Sequence, residues 1–235
     1  MKYKSRAISL TYIKQGESSI ISKILTEAKG LQTFIVKGVR SKNSKKKLGY
    51  FEPLVLININ ATFNTKKSLQ YLGDINIAAN YNSKTNKMNK SFIGFFIAEI
   101  SSKVLQENEQ NNMLFNFIWE TAKKLQVTEK IDQNFALIYL LNLSKFLGFY
   151  PSKSKINKPF FELETGEFSN KITEPEICLN RQKTIYLKAL LRNEEVIIPQ
   201  DIKSELLKEL LYYYKLHHYN LDGITSHKVI ATLRK

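Results

Sequence analysis

The chain has 235 residues, 43% hydrophobic and 24% charged, a globular composition that excludes a largely disordered protein. Its 36 Lys and Arg against 21 Asp and Glu leave a formal net charge of +15, a field that concentrates polyanions such as nucleic acid or an anionic membrane surface. The single cysteine, Cys178, excludes an intrachain disulfide, and the greasiest run, FALIYLLNLSKFLGFY, is broken by Asn142, Ser144 and Lys145 well short of a membrane span. The opening MKYKSRAISL lacks the long apolar stretch of a signal peptide, so a soluble cytoplasmic protein is expected.

The charge is unevenly placed. Residues 1–80 carry 14 Lys or Arg against four acids, a net of +10, whereas the remaining 155 residues carry a net of only +5. The same basic third reads as strands. RAISLTYIK, SSIISKIL, LQTFIVKG, PLVLININAT and LQYLGDINIAAN are short, rich in Ile, Val, Thr and aromatics, and punctuated at Gly16, Gly30, Asn43 and Asn64. In VLININA, Val55, Ile57, Ile59 and Ala61 share one face and Leu56, Asn58 and Asn60 the other, as in a half-buried strand. Five strands in about 80 residues suit a small closed barrel such as the OB-fold better than a sandwich, which needs about seven.

After the polar linker NYNSKTNKMNK the period changes. Phe92, Phe96, Ile100 and Val104 recur at helical spacing, and MLFNFIWETAKKL and DQNFALIYLLNLSKFLGF behave alike, with Asp132 as a cap and Gly148 as a stop. Pro151 ends helical structure, and Ser152–Asn180 is irregular. Helices return at YLKALLRN, PQDIKSELLKELLYYYKLHHYN and SHKVIATLRK, where Asp201 and Ser226 are candidate caps. The fold class expected is therefore α+β: an OB-fold barrel over 1–80, then a mostly helical domain over 81–235 with a small irregular or β insertion at about 152–180.

Six of the eleven residues from Lys37 to Lys47 are basic and none is acidic. Lys37, Arg40, Lys42, Lys45, Lys46 and Lys47 lie between two expected strands, where a projecting loop lays cations along a phosphate backbone. Solvated lysines that merely keep the chain soluble are the bland alternative. Phe34, Tyr50, Phe51 and Phe63 lie near enough in sequence to stack bases beside those cations, Phe34 and Tyr50 foremost, although such aromatics commonly build cores. In LLYYYKLHHYN successive aromatics must diverge around a helix, some buried and some exposed.

Enzyme signatures are missing. Cys178, His217, His218 and His227 form no C-x-x-C or H-x-x-x-H, so neither a structural zinc nor another cofactor is expected. Asp74, Asp132, Asp201 and Asp222 are scattered, Glu194-Glu195 has no nearby Asp, and neither a Walker A sequence nor a nucleophile elbow occurs.

The segment YIKQGESSIISKILTEAKGLQTFIVKGVRSKNSKKKLGYFEPL resembles the amino-terminal barrel of the bacterial recombination mediator family RecO. The resemblance rests on Gly16-Glu17-Ser18 after the first strand, Gly30, KGVR at 37–40, the basic loop and Glu52-Pro53. It continues through FIAEISSKVL, NFALIYLLNLSKFLGFYP and LLKELLYYYKLHH, nearly the whole length. It implies an OB-fold and a helical domain without enzymatic turnover. It also implies binding to single- and double-stranded DNA, annealing, contact with the acidic C-terminal tail of single-stranded DNA-binding protein, and action with RecR to help load RecA. Lys37 and Arg40 fall in the family's basic motif. Lys123, Lys124, Lys145 and Arg181 are candidate contacts for the acidic tail. Many members carry a four-cysteine zinc module where Ser152–Asn180 holds only Cys178, so this slot is expected to fold without metal, as a small hairpin around FFELETGEF. The expected location is the cytoplasm, on the nucleoid when bound to DNA. Rival readings are an RNA-binding OB-fold protein, a cryptic metal-dependent phosphodiesterase, and a protein adaptor with an incidental basic face.

Overall fold

The computed structural model describes residues 1–41, 47–78, 87–172 and 174–228. Five strands, β1 (Lys2–Gln15), β2 (Ser19–Thr26), β3 (Gly30–Val36), β4 (Leu56–Thr62) and β5 (Leu69–Ile77), close into a barrel in the order β1-β2-β3-β5-β4. Only the β3–β5 pair is parallel. Closure removes the exposed edges that a five-stranded sheet would otherwise present. This is the five-stranded OB-type barrel expected from the strand count.

Alternation decides which side chains enter the barrel. On β2 the inward set is Ile20, Ser22 and Ile24, opposite Val36, Phe34 and Gln32 of β3, and all six are buried. Ile57, Ile59 and Ala61 of β4 complete the interior, as their spacing predicts. Leu56 departs from the half-exposed reading of that strand. It joins Ile8, Leu25 and Leu31 in one cross-strand row on the outside of the barrel, yet all four are buried. The reason lies beyond the strand: helix α1 (Lys87–Val104) packs against β1, and the chain following it bridges Leu31 at Glu107. Ile97, Ile100 and Val104 of α1 are buried in turn.

Helix α2 (Asn112–Val127) starts at Asn111, whose side chain accepts from the Leu114 N–H at 3.0 Å. Arg6 ties it to the barrel. The guanidinium donates to both carboxylate oxygens of Glu27 at 2.9 and 2.6 Å, reaches Asn116 at 3.1 Å, and lies 5.0 Å from the Trp119 ring centroid.

The chain divides into two compact units, Met1–Ile131 and Asp132–Lys235, so α1 and α2 group with the barrel. The second unit contains α3 (Phe135–Phe146), a three-stranded sheet of β6 (Phe160–Glu162), β7 (Glu167–Ser169) and β8 (Cys178–Leu179) in the order β7-β6-β8, and helices α4 (Arg181–Leu191) and α5 (Gln200–Leu216). The β6–β7 pair is the hairpin expected around FFELETGEF, with Phe161 opposite Phe168. Both rings pack tightly, and Phe161 meets Tyr213 of α5 edge-on at 5.8 Å. Successive tyrosines on α5 diverge as helical geometry requires: Tyr213 and Tyr214 are buried, donating to the carbonyls of Phe149 and Leu140, while Tyr212 is exposed.

Three caps differ from expectation, Ser226 among them because its helix begins at Ser226 itself. Asp132 accepts from the Asn134 N–H at 2.7 Å, forming a turn ahead of α3 rather than its cap, and Asp201 sits inside the first turn of α5, which begins after Pro199. Residues 229–235 of the expected final helix lie outside the described residues. Among the described residues no helix is long and apolar enough to cross a membrane.

Gly30 has φ +66°, and a Cβ there would collide with the carbonyl of Glu109 in the α1–α2 connection. Gly30→Ala should therefore cost about 2–4 kcal/mol of stability, measured by denaturant unfolding. The Glu27 carboxyl is held below its ordinary value of 4.5, chiefly by the hydrogen bonds from Arg6. A depressed folded-state value means that the pair contributes above the unfolded-state value and is lost as pH falls through the folded one. The melting-temperature difference between wild type and Arg6→Gln should accordingly be largest at neutral pH and shrink on acidification below the ordinary carboxylate range.

Candidate nucleic-acid interface

At the end of β3 the chain makes a turn that fixes two cations outward. Val36 and Val39 are both buried in the barrel core, so the intervening Lys37 and the following Arg40 are left exposed. Gly38 supplies the left-handed conformation, φ +70°, that lets Val39 fold back. The turn is stitched to the β1–β2 turn: the Arg40 N–H donates to Ser18 O and its Nη1 to Gly16 O, each at 2.9 Å. One donor of the Arg40 fork is thus spent on positioning, and the remainder face solvent. Among the described residues neither Lys37 nor Arg40 forms an ion pair.

Lys42, Lys45 and Lys46 lie outside the described residues. The description resumes at exposed Lys47, whose carbonyl accepts from Tyr50 N–H at 3.0 Å, and a short 3₁₀ turn, Leu48–Phe51, returns the chain to the barrel. Phe51 is fully buried in the same core as Val39. The basic segment is therefore anchored at both ends by apolar side chains in one core.

The aromatic expectations divide. Phe34 is 0% exposed, inside the barrel between Ser22 and Gln70, and presents no ring face to a base; its assignment as a stacking residue is corrected. Phe51 is likewise core. Tyr50 is half-buried against that core, and half-buried Phe63 has Lys29 Nζ 5.4 Å from its ring centroid. Sequence reasoning passed over Tyr71, half exposed on β5 with Lys67 Nζ 5.6 Å from its ring centroid.

The four cations expected at an acidic peptide belong to different units. Lys123, paired with Glu120 at 3.7 Å, and exposed Lys124 lie on α2 in the first unit. In the second, Lys145 lies 4.6 Å from the Tyr150 ring centroid and Arg181 5.8 Å from that of Phe160. A groove of about 390 Å³ in the first unit runs between Glu52–Leu54 and helices α1 and α2, lined in part by Phe95, Ala122 and Leu125. Lys90 stands in its wall, donating to the Gln126 carbonyl at 3.1 Å.

Among the described residues no group of three or more His, Cys, Asp or Glu could hold a metal ion. Burial, with the nearby Glu162 carboxylate adding to it, raises the Cys178 thiol above its ordinary value, the opposite of a metal-ready thiolate. His217 stacks on Phe149 at 4.7 Å, and burial pushes its titration down, as expected of a packing histidine.

The fold is thus a closed five-stranded OB-type barrel with an outward basic corner, joined to helices. Comparison with known proteins narrows it. The profile for the recombination protein O N terminal matches residues 1–81, and that for the recombination protein O C terminal matches residues 85–221. Proteins described as DNA repair protein RecO are similar over the full chain: 36% identical in Flavobacterium psychrophilum, 31% in Flavobacterium johnsoniae and 30% in Christiangramia forsetii, each covering 100% of this chain and 99% of the relative. The chain belongs to the RecO family of DNA repair proteins.

Because Phe34 is core, Phe34→Ala should cost about 3–5 kcal/mol of stability in denaturant unfolding.

Proposed function

We propose that the protein is a recombination mediator that binds and anneals DNA through its amino-terminal barrel. In this reading Lys37, Arg40 and Lys47, with Lys42, Lys45 and Lys46 of the same segment, grip phosphates. The observation that carries it is the corner Val36–Arg40, where two apolar anchors hold unpaired cations outward on a barrel of the RecO family. Annealing needs no catalytic group: neutralising backbone charge on two strands lowers their repulsion, and local concentration does the rest. The protein acts in the cytoplasm, associating with the nucleoid through DNA and without turnover.

The remaining roles follow from family membership. The protein acts with RecR to help load RecA on DNA coated by single-stranded DNA-binding protein, whose acidic C-terminal tail it engages. An apolar groove beside a lysine suits a carboxylate-ended peptide, and the groove between α1, which supplies Phe95 and Lys90, and α2, which also bears Lys123 and Lys124, has that chemistry. Lys145 and Arg181 are the candidates on the second unit.

The test is a fluorescence-anisotropy titration of a single-stranded oligonucleotide at graded salt. With about four phosphates contacted, log affinity should fall with log salt at a slope of roughly −3, and Lys37→Glu/Arg40→Glu/Lys47→Glu should flatten the slope and remove most of the affinity. A folded triple variant with an unchanged titration would take the segment out of the mechanism.

A further inference from the structure

We propose that a row of outward side chains on the barrel, Ile13, Ile21, Ile35 and Tyr71, is a platform for the unstacked bases of a single strand, with Tyr71 stacking a base. Lys37 and Lys67 contact its phosphates beside the row. The proposal deepens the DNA-binding reading and rests on it.

The row follows from register. Ile13 pairs with Ile21 across β1–β2, Ile21 with Ile35 across β2–β3, and Ile35 with Tyr71 across β3–β5. Directly paired residues share a face, so these four side chains stand together on the outside of four adjacent strands. Their inward neighbours, Ile20, Phe34, Val36 and Leu72, are buried in the barrel core.

The outside of the barrel thus carries two apolar rows with different fates. Leu56, Ile8, Leu25 and Leu31 lie on the side where α1 packs. The other row stays open at its ends: Ile13 is 63% exposed and Tyr71 50%, with Ile21 and Ile35 partly buried between them. Scattered exposed apolar residues need no explanation, but four in lateral register make a surface.

The surroundings select the occupant. Lys37 follows Ile35 by two residues, at the first position of the turn after β3, and is exposed. Lys67 holds its ammonium 5.6 Å from the Tyr71 ring centroid. Neither pairs with a carboxylate among the described residues. In the adjoining row Thr33 donates to Glu107 at 2.6 Å, so a carboxylate borders the platform on that side and turns a polyanion toward Lys37. Apolar and aromatic side chains flanked by cations meet the two needs of single-stranded nucleic acid, a π-face for bases and positive charge for the backbone. Three interstrand spacings give the row a length of about 14 Å.

The experiment compares two ligands on the full-length chain: an oligothymidylate about twenty nucleotides long and an abasic sugar-phosphate polymer of equal length. Tyr71→Ala should weaken oligothymidylate binding about 5- to 100-fold, leave the abasic polymer's affinity and the salt slope unchanged, and be rescued by Tyr71→Phe. Ile13→Ala, at the most exposed end, should weaken oligothymidylate alone by a smaller factor, which keeps the test informative if Tyr71→Ala unfolds. Equal losses on both polymers, or no loss on oligothymidylate in folded variants, would overturn the platform and leave the phosphate grip standing. Retained oligothymidylate affinity in Tyr71→Ala with lost binding of an acidic peptide would also overturn it, assigning the row to a protein partner. Wild-type protein that binds neither polymer would refute the DNA-binding reading itself, and the platform with it.

Discussion

Closure of the five strands is the constraint on which the rest depends. Once β3 pairs with β5 and β4 with β1, every strand residue is committed by parity to the interior or the outside, and a one-residue slip would exchange the two sets. That commitment sends Phe34 and Val36 inward and Ile35 and Lys37 outward from one short segment. The turn after it is then decided by one side chain. Val39 returns to the core, and Arg40 is left facing solvent while bonded to the carbonyl at Gly16.

Much of this was legible in the sequence, because period-two alternation and turn residues are local signals. All five strands and the helices α1 to α5 lie where those signals place them, and the basic segment emerges between β3 and β4. What was illegible depended on neighbours distant in sequence. LQTFIVKG is apolar on both faces, so alternation alone could not say which of Phe34 and Ile35 points inward. Leu56 read as a solvent-side residue, yet it is buried, with α1 packed on β1 and α2 on its own strand β4. Tyr71 drew no notice because its place beside Ile35 exists only through the parallel β3–β5 pairing. Asp132 and Asp201 were misplaced as caps for a local reason: in each case the helix begins a residue or more away from the carboxylate.

The second unit answers a different question, how the irregular stretch Ser152–Asn180 is held in place. The β6–β7 hairpin directs Phe161 at Tyr213, with Phe168 packed on Phe161, and Phe149 gathers Tyr213, Tyr214, His217 and Tyr219 around itself. Aromatic burial organises this unit, and edge-on and stacked ring pairs add geometric specificity to the buried area. The buried Tyr213 and Tyr214 hydroxyls find backbone carbonyls.

The central claim is that parity on the closed barrel gives one set of isoleucines to the core and another to nucleic acid. Isoleucine δ1-methyl NMR of the full-length protein, titrated with oligothymidylate, tests it most directly. The account predicts that Ile13, Ile21 and Ile35 shift progressively while Ile20, Ile24 and Ile57 hold still. Shifts confined to the inward set, or no shift at a concentration where anisotropy reports binding, would contradict it.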